Sequence, residues 1–139
     1  YKSKPGKTLL HVRRGDYLKI GETLSVEYYR KALTVADREI KDFEYDIFTD
    51  DIDWVNKHSI FQSASNVHYS SDSNQDTINT FSKMLMNNNF IISNSTFSLI
   101  PAILKENNTS KIVCPFPWYK NSNKNLNLKE QWVKLDNNG

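Results

Sequence analysis

The spacing of apolar and polar positions along the chain changes several times, and each change marks an element. Thr8-Leu9-Leu10-His11-Val12 is a short, largely apolar run that predicts a strand, broken by Arg13-Arg14-Gly15-Asp16. From Ser25 onward the period lengthens. Val26, Tyr29, Leu33, Ala36 and Ile40 recur every three or four residues, predicting an amphipathic helix with Ser25 as its N-cap. Tyr45-Asp46-Ile47-Phe48-Thr49 predicts a second strand, stopped by Asp50-Asp51, with a short helix through Trp54 and Val55. Asn66-Val67-His68-Tyr69 predicts a third strand, and Ser70 to Gln75 a polar loop. Asp76 is the expected cap of a helix that turns Ile78, Phe81, Met84 and Leu85 inward, ended by Asn87-Asn88-Asn89.

The continuous apolar run Phe90-Ile91-Ile92-Ser93 predicts a strand buried on both faces. Asn94-Ser95-Thr96 then offers caps for a helix through Leu104, in whose first turn Pro101 is expected to lie, because a missing N–H costs nothing there. Lys111-Ile112-Val113-Cys114 predicts a fifth strand, followed by a Lys/Asn-rich tail with a small apolar closer of Trp132, Val133 and Leu135. Strands and helices alternate with short connections. That order predicts an α/β fold: a Rossmann-like parallel sheet with helices on both faces.

Composition narrows the choice of function. The chain has 139 residues, 38% of them hydrophobic and 24% charged, which excludes wholesale disorder. A net charge of +2 argues against a dedicated nucleic-acid binder. The single Cys114 excludes an internal disulfide framework and a cysteine-based zinc site, and its apolar neighbours predict a buried, inert thiol. The chain starts at Tyr1 and reaches a strand within eight residues, an arrangement expected of part of a longer protein.

In an open parallel sheet, ligands bind beyond the carboxyl ends of the strands. Four polar clusters follow predicted strands: Arg13-Arg14-Gly15-Asp16, Asp50-Asp51, Ser70-Ser71-Asp72-Ser73 and Asn94-Ser95-Thr96. If the strands are parallel, all four share one rim. The first cluster brings two guanidiniums, whose planar forks suit phosphate; the last brings hydroxyls and free N–H groups at a helix start. Together they point to a diphosphate site. The glycines are Gly6, Gly15, Gly21 and Gly139, from which no dinucleotide-binding or Walker loop can be built. A diphosphate must therefore be held by side chains and helix N-termini.

His11-Val12-Arg13-Arg14-Gly15-Asp16-Tyr17 resembles the H-x-R-R-x-D-Y motif of the α-1,2-fucosyltransferases, glycosyltransferase family eleven. Phe48-Thr49-Asp50-Asp51 and Phe90-Ile91-Ile92-Ser93-Asn94-Ser95-Thr96-Phe97-Ser98 resemble that family's second and third blocks, in the same order. Leu99 and Ile100 stand where the family commonly has paired tryptophans, and Thr80 where it tends to carry an acidic residue near the guanine. The resemblance implies the C-terminal, donor-binding half of a two-domain (GT-B) enzyme that moves L-fucose from GDP-fucose to a hydroxyl of a glycan acceptor. It implies an inverting, metal-independent reaction with no cofactor, cytoplasmic and at the inner face of a bacterial membrane, with the acceptor-binding domain outside this chain. Carried over by motif, Arg13 and Arg14 act on the donor diphosphate as the catalytic pair. His11, Asp16, Tyr17, Asp50, Asp51, Asn94, Ser95, Thr96 and Ser98 form the substrate-binding set.

Two other readings fit parts of the sequence. One is a non-catalytic nucleotide-sugar or glycan-binding module. The other starts from Asp51-Ile52-Asp53-Trp54-Val55, which has the D-x-D-x-V form of the magnesium-dependent haloacid-dehalogenase-like phosphatases. His58 and His68 are expected to be solvated or structural.

Overall fold

The computed structural model describes residues 4–70, 73–122 and 126–139. Six strands form one sheet: β1 (Lys7–Val12), β2 (Glu44–Thr49), β3 (Asn66–Tyr69), β4 (Asn89–Ile91), β5 (Ile112–Phe116) and β6 (Val133–Asp136). Five helices connect them: α1 (Tyr17–Ile20), α2 (Val26–Glu39), α3 (Ile52–Lys57), α4 (Asn74–Met84) and α5 (Thr96–Lys105). The sheet order is β3-β2-β1-β4-β5-β6 and every neighbouring pair is parallel, the Rossmann-like arrangement expected. The chain runs outward from β1 to β3, then returns to start its second half at β4, beside β1. The crevice at that reversal is where such sheets take ligands.

Strand periodicity divides the core into two layers. Leu10, Val12, Ile47, Ile91 and Val113 face one side and pack under Tyr28, Tyr29, Ala32 and Ala36 of α2 and Val55 of α3. Leu9, Phe48, Phe90, Ile92, Ile112 and Cys114 face the other, against Met84 of α4, Ala102 of α5, Trp118 and Trp132. Cys114 is wholly buried, and burial pushes its thiol up to about 12, so it is inert as expected. Helix α2 starts where Ser25 accepts a hydrogen bond from the Tyr28 N–H. Two of its tyrosines reach the site end of the sheet. Tyr28 Oη donates to the Ile92 carbonyl at 2.6 Å, and Tyr29 Oη to the His11 carbonyl at 3.0 Å.

Several expectations change. Ser73, not Asp76, caps α4, accepting from the Asp76 N–H, with Asp76 inside the first turn. That phase puts Thr77, Thr80, Phe81 and Met84 on one stripe of the helix at i, i+3, i+4 and i+7. Ile78 falls off the stripe and is 60% exposed, not turned inward. Pro101 lies in the second turn of α5 rather than the first, which removes the N–H that would bond to the Phe97 carbonyl. The helix persists because Ser95 caps it, Pro101 is buried, and Ala102 packs in the core layer of Leu9, Phe90 and Ile92. The apolar closer is a full strand, β6, paired with β5 from Val113↔Val133 to Phe116↔Asp136.

Candidate functional site

The loops that follow β1, β2, β3 and β4 converge on a cleft of about 290 Å³ at the carboxyl end of the sheet. Residues from all four predicted clusters line it: Arg13, Asp50, Ser70, Ser95 and Thr96. His11 and Tyr17 join them, as do Phe48, Thr49, Thr77, Thr80 and Phe97. Ser71 and Asp72 of the third cluster lie outside the described residues.

Arg13 leaves the end of β1 and its guanidinium stands on the cleft between two carboxylates. One terminal nitrogen is 2.7 Å from Asp16 Oδ1 and the other 3.5 Å from Asp50 Oδ2. The guanidinium also lies over the Tyr17 ring, 5.3 Å from its centre. Arg13 Nε is buried and has no hydrogen-bond partner among the described residues. A donor left unpaired beside a polar cleft invites an acceptor from a ligand.

Its neighbour points elsewhere. Adjacent residues of an extended segment face opposite ways. The Arg14 guanidinium stacks 4.2 Å from the centre of the Trp54 ring and its Nε donates to Asp51 Oδ2 at 3.3 Å. Arg14 is not among the cleft-lining residues. Asp51 is occupied on both sides: Oδ2 by Arg14, and Oδ1 by the Trp54 N–H, which it accepts as the N-cap of α3. Asp50 is the organiser between the two arginines. Its Oδ1 accepts the Arg14 backbone N–H at 2.8 Å while Oδ2 faces Arg13.

The opposite wall is the start of α5. Ser95 caps it, its Oγ accepting from the Phe97 N–H at 3.2 Å, and Ser95 and Thr96 face the cleft at the positive end of the helix dipole. Ser98 is fully buried one layer back, where its Oγ accepts from the Ser93 N–H and donates to the Ser95 carbonyl. Asn94 is also buried. Its Nδ2 donates to the Glu22 backbone carbonyl at 2.9 Å, and its own carbonyl accepts from Tyr17 Oη at 3.2 Å. Burial pushes the Tyr17 phenol up, so Tyr17 is a neutral hydrogen-bond donor.

His11, near the end of β1, forms the floor. It is 5% exposed, and Nδ1 lies 2.8 Å from Ser93 Oγ. Burial, and after it the positive charge of Arg13, lowers its pKa to about 3, so the imidazole is neutral at ordinary pH. It can offer a hydrogen bond to a ligand and no charge.

The structure thus brings together His11, Arg13, Tyr17, Asp50, Ser95 and Thr96 around one cleft. Asp16 meets it through Arg13, while Arg14, Asp51, Asn94 and Ser98 stand behind it. Sequence reasoning missed Phe48, Thr49, Thr77 and Phe97 as lining residues, Glu22 as the partner of Asn94 and Ser93 as the partner of His11. The α4 stripe carried a signal: threonines at the i and i+3 positions of a helix whose other inward residues are Phe81 and Met84. Thr80, noted from the resemblance, does line the cleft. Among the described residues no group of three or more His, Cys, Asp and Glu side chains is placed to hold a metal ion, and no helix is long and apolar enough to cross a membrane.

The O-antigen biosynthesis glycosyltransferase WbnK of Escherichia coli is 31% identical over 138 residues, 92% of this chain and 44% of that protein. The Alpha-1,2-colitosyltransferase of Escherichia coli is 28% identical over 139 residues, 91% of this chain and 47% of that protein. The chain therefore spans less than half the length of these curated relatives. No solved structure matches. The Glycosyl transferase family 11 profile matches residues 4–136, from before β1 to the end of β6, with all three motif blocks inside the match, and the chain belongs to that family.

Proposed function

We propose that this domain seats the nucleoside diphosphate of a sugar donor, GDP-fucose or a close analogue, and that the full-length protein transfers the sugar to a glycan hydroxyl. The carrying observation is that Arg13 and the start of α5 face each other across one cleft at the β1/β4 reversal. A pyrophosphate there meets a guanidinium on one side and the Ser95 and Thr96 hydroxyls at the positive end of a helix on the other. The motif order and the relatives' names support a glycosyl donor, and the name of the colitosyltransferase supports an α-1,2 linkage. Supplying the acceptor side is the role this reading gives to a second domain of a GT-B enzyme.

The chemistry follows from charge. The acceptor oxygen attacks the anomeric carbon as the bond from that carbon to the phosphate oxygen breaks. The bonding pair leaves with the diphosphate, and the hydroxyl proton passes to a base. Negative charge grows on the diphosphate in the transition state. Fixed donors aimed at growing charge commonly contribute about 2.7–4 kcal/mol each. Arg13 is such a donor, and Asp16, Asp50 and Tyr17 hold it in place before the donor arrives. Attack from the face opposite the leaving group gives inversion, and with the diphosphate charge met by Arg13 and α5 the reaction runs without a metal.

Calorimetry with GDP, followed by donor-hydrolysis and transfer assays on the full-length protein, tests the reading. Saturable GDP binding with turnover is expected. GDP binding without turnover would favour the non-catalytic module, and no GDP binding would overturn the assignment.

A further inference from the structure

The loops after β1, β4 and β5, three adjacent strands, are drawn together by one buried carboxylate outside the motif blocks. Helix α1 ends at Gly21, whose left-handed φ of 70° turns the chain inward. The next residue, Glu22, is only 9% exposed. Its Oε2 accepts the Lys120 N–H at 2.8 Å and the Asn94 Nδ2 at 3.4 Å, and its Oε1 accepts the Asn121 N–H at 3.1 Å. Two consecutive backbone N–H groups and one side-chain amide thus close on a single carboxylate. A buried carboxylate is tolerated only when its oxygens are filled in this way. The surrounding bonds repeat the same tie. Asn121 Nδ2 donates to the Ile20 and Gly21 carbonyls, and Lys120 Nζ to the Thr23 carbonyl.

We infer that Glu22 is the positioning residue of the donor cleft. The segment it anchors, residues 13–22, carries Arg13 and Tyr17 on one lip. The amide it grips belongs to Asn94, whose next residue, Ser95, opens the other lip. The spacing between the two donor walls is set at Glu22, which does not line the cleft. This rests on the proposed donor site and extends it to the loop after β5, which the motif blocks leave out.

The experiment uses the full-length protein. First, GDP binding to the unmodified protein is measured by calorimetry. Absence of binding overturns the proposed function itself and this inference with it. Given binding, amide hydrogen exchange is compared with and without GDP. The Lys120 and Asn121 amides, which donate to Glu22, are expected to exchange more slowly with GDP bound. Unchanged exchange at both, in a protein that binds GDP, overturns the inference alone. In parallel, Glu22→Gln puts an NH2 group against one of those two backbone N–H groups, while Glu22→Asp keeps two acceptors on a shorter arm. Misplacing groups by about an ångström can cost up to a hundredfold in rate, and the same misalignment weakens the contacts to a bound diphosphate. Glu22→Gln is therefore expected to bind GDP about tenfold to a hundredfold more weakly, with Glu22→Asp recovering part of the loss, both measured below their melting transitions. Wild-type GDP affinity in a folded Glu22→Gln protein also overturns the inference. If Glu22→Gln does not fold, the exchange comparison on the unmodified protein decides.

Discussion

Nδ1 of His11 and Oγ of Ser93 lie 2.8 Å apart, joining the end of β1 to the segment that follows β4 beneath the cleft. Ser93 Oγ lies in turn 3.4 Å from Ser98 Oγ, so the first histidine of the motif is continuous with the serine turn of the third block. The bond supports a neutral imidazole and gives it a fixed orientation.

A pH dependence of stability follows. The unfolded His11 titrates near 6.5 and the folded one near 3. Below 6.5 the unfolded state binds the extra proton, so the contribution of this histidine is complete above about pH 6.5 and is lost as pH falls towards 3. The slope through that window is about 1.4 kcal/mol per pH unit for one group. Urea denaturation at pH 7 and pH 4.5 should show a larger loss for the native protein than for His11→Gln. Equal losses in the two proteins would contradict the buried, neutral assignment.

Fold class was readable in the sequence because strands and helices here keep clean periods. Leu9 and Leu10, or Ile91 and Ile92, face opposite layers of the core just as a period of two requires. The four rim clusters were readable for the same reason, since parallel strands must end on one side. Which rim side chains turn into the cleft was not readable. Arg13 and Arg14 are chemically identical neighbours, and it is Asp51 and Trp54 at the start of α3 that hold Arg14 away from the cleft. The α4 wall depended on a helix phase set by Ser73 rather than Asp76, two residues that are both good caps. Strand β6 was obscured because its four residues alternate apolar and charged at the sheet edge, with too short a run to separate from a tail.

Gly15 is a packing constraint on the site. A Cβ there would stand 2.5 Å from Asp50 Oδ2, the oxygen that faces Arg13. Gly15→Ala must therefore displace the Asp50 carboxylate and disturb its bond to the Arg14 N–H. Disturbing a partly buried hydrogen bond of this kind costs about 0.5–1.5 kcal/mol. Chemical denaturation should show that loss in Gly15→Ala. The same change added to Asp50→Ala should cost much less, and strict additivity of the two would refute the contact.

Ser95 has separable structural and ligand roles. As the N-cap of α5 its hydroxyl fills the Phe97 N–H, and Ser95→Ala should cost about 1 kcal/mol of stability, whereas Ser95→Gly should cost only a few tenths. If the hydroxyl also contacts the donor, both variants should lose GDP affinity to a similar extent despite their different stabilities. Calorimetry beside thermal melts checks this, and an affinity that simply tracks the melting temperature would remove Ser95 from the binding set.

The two arginines of the first block should part company under mutation. Arg13 faces the cleft and has a buried Nε without a partner among the described residues, while the Arg14 side chain is 15% exposed and is committed to Trp54 and Asp51. Arg13→Ala should leave the fold intact, because its pairing with the largely exposed Asp16 contributes little and Asp50, 3.5 Å away, keeps its bond to the Arg14 N–H. Turnover of the full-length protein should fall by about a hundredfold or more. Arg13→Lys keeps the charge without the planar fork and should fall between the two. Arg14→Ala should do the reverse at first order. It strips the cation from the Trp54 face and the ion partner from Asp51, lowering stability by about 1–3 kcal/mol, with GDP affinity reduced only as far as Asp50 shifts. Denaturation and steady-state kinetics on the three variants separate the roles. Equal loss of turnover from Arg13→Ala and Arg14→Ala at unchanged stability would show that both guanidiniums reach the diphosphate, and that Arg14 leaves Trp54 when the donor binds.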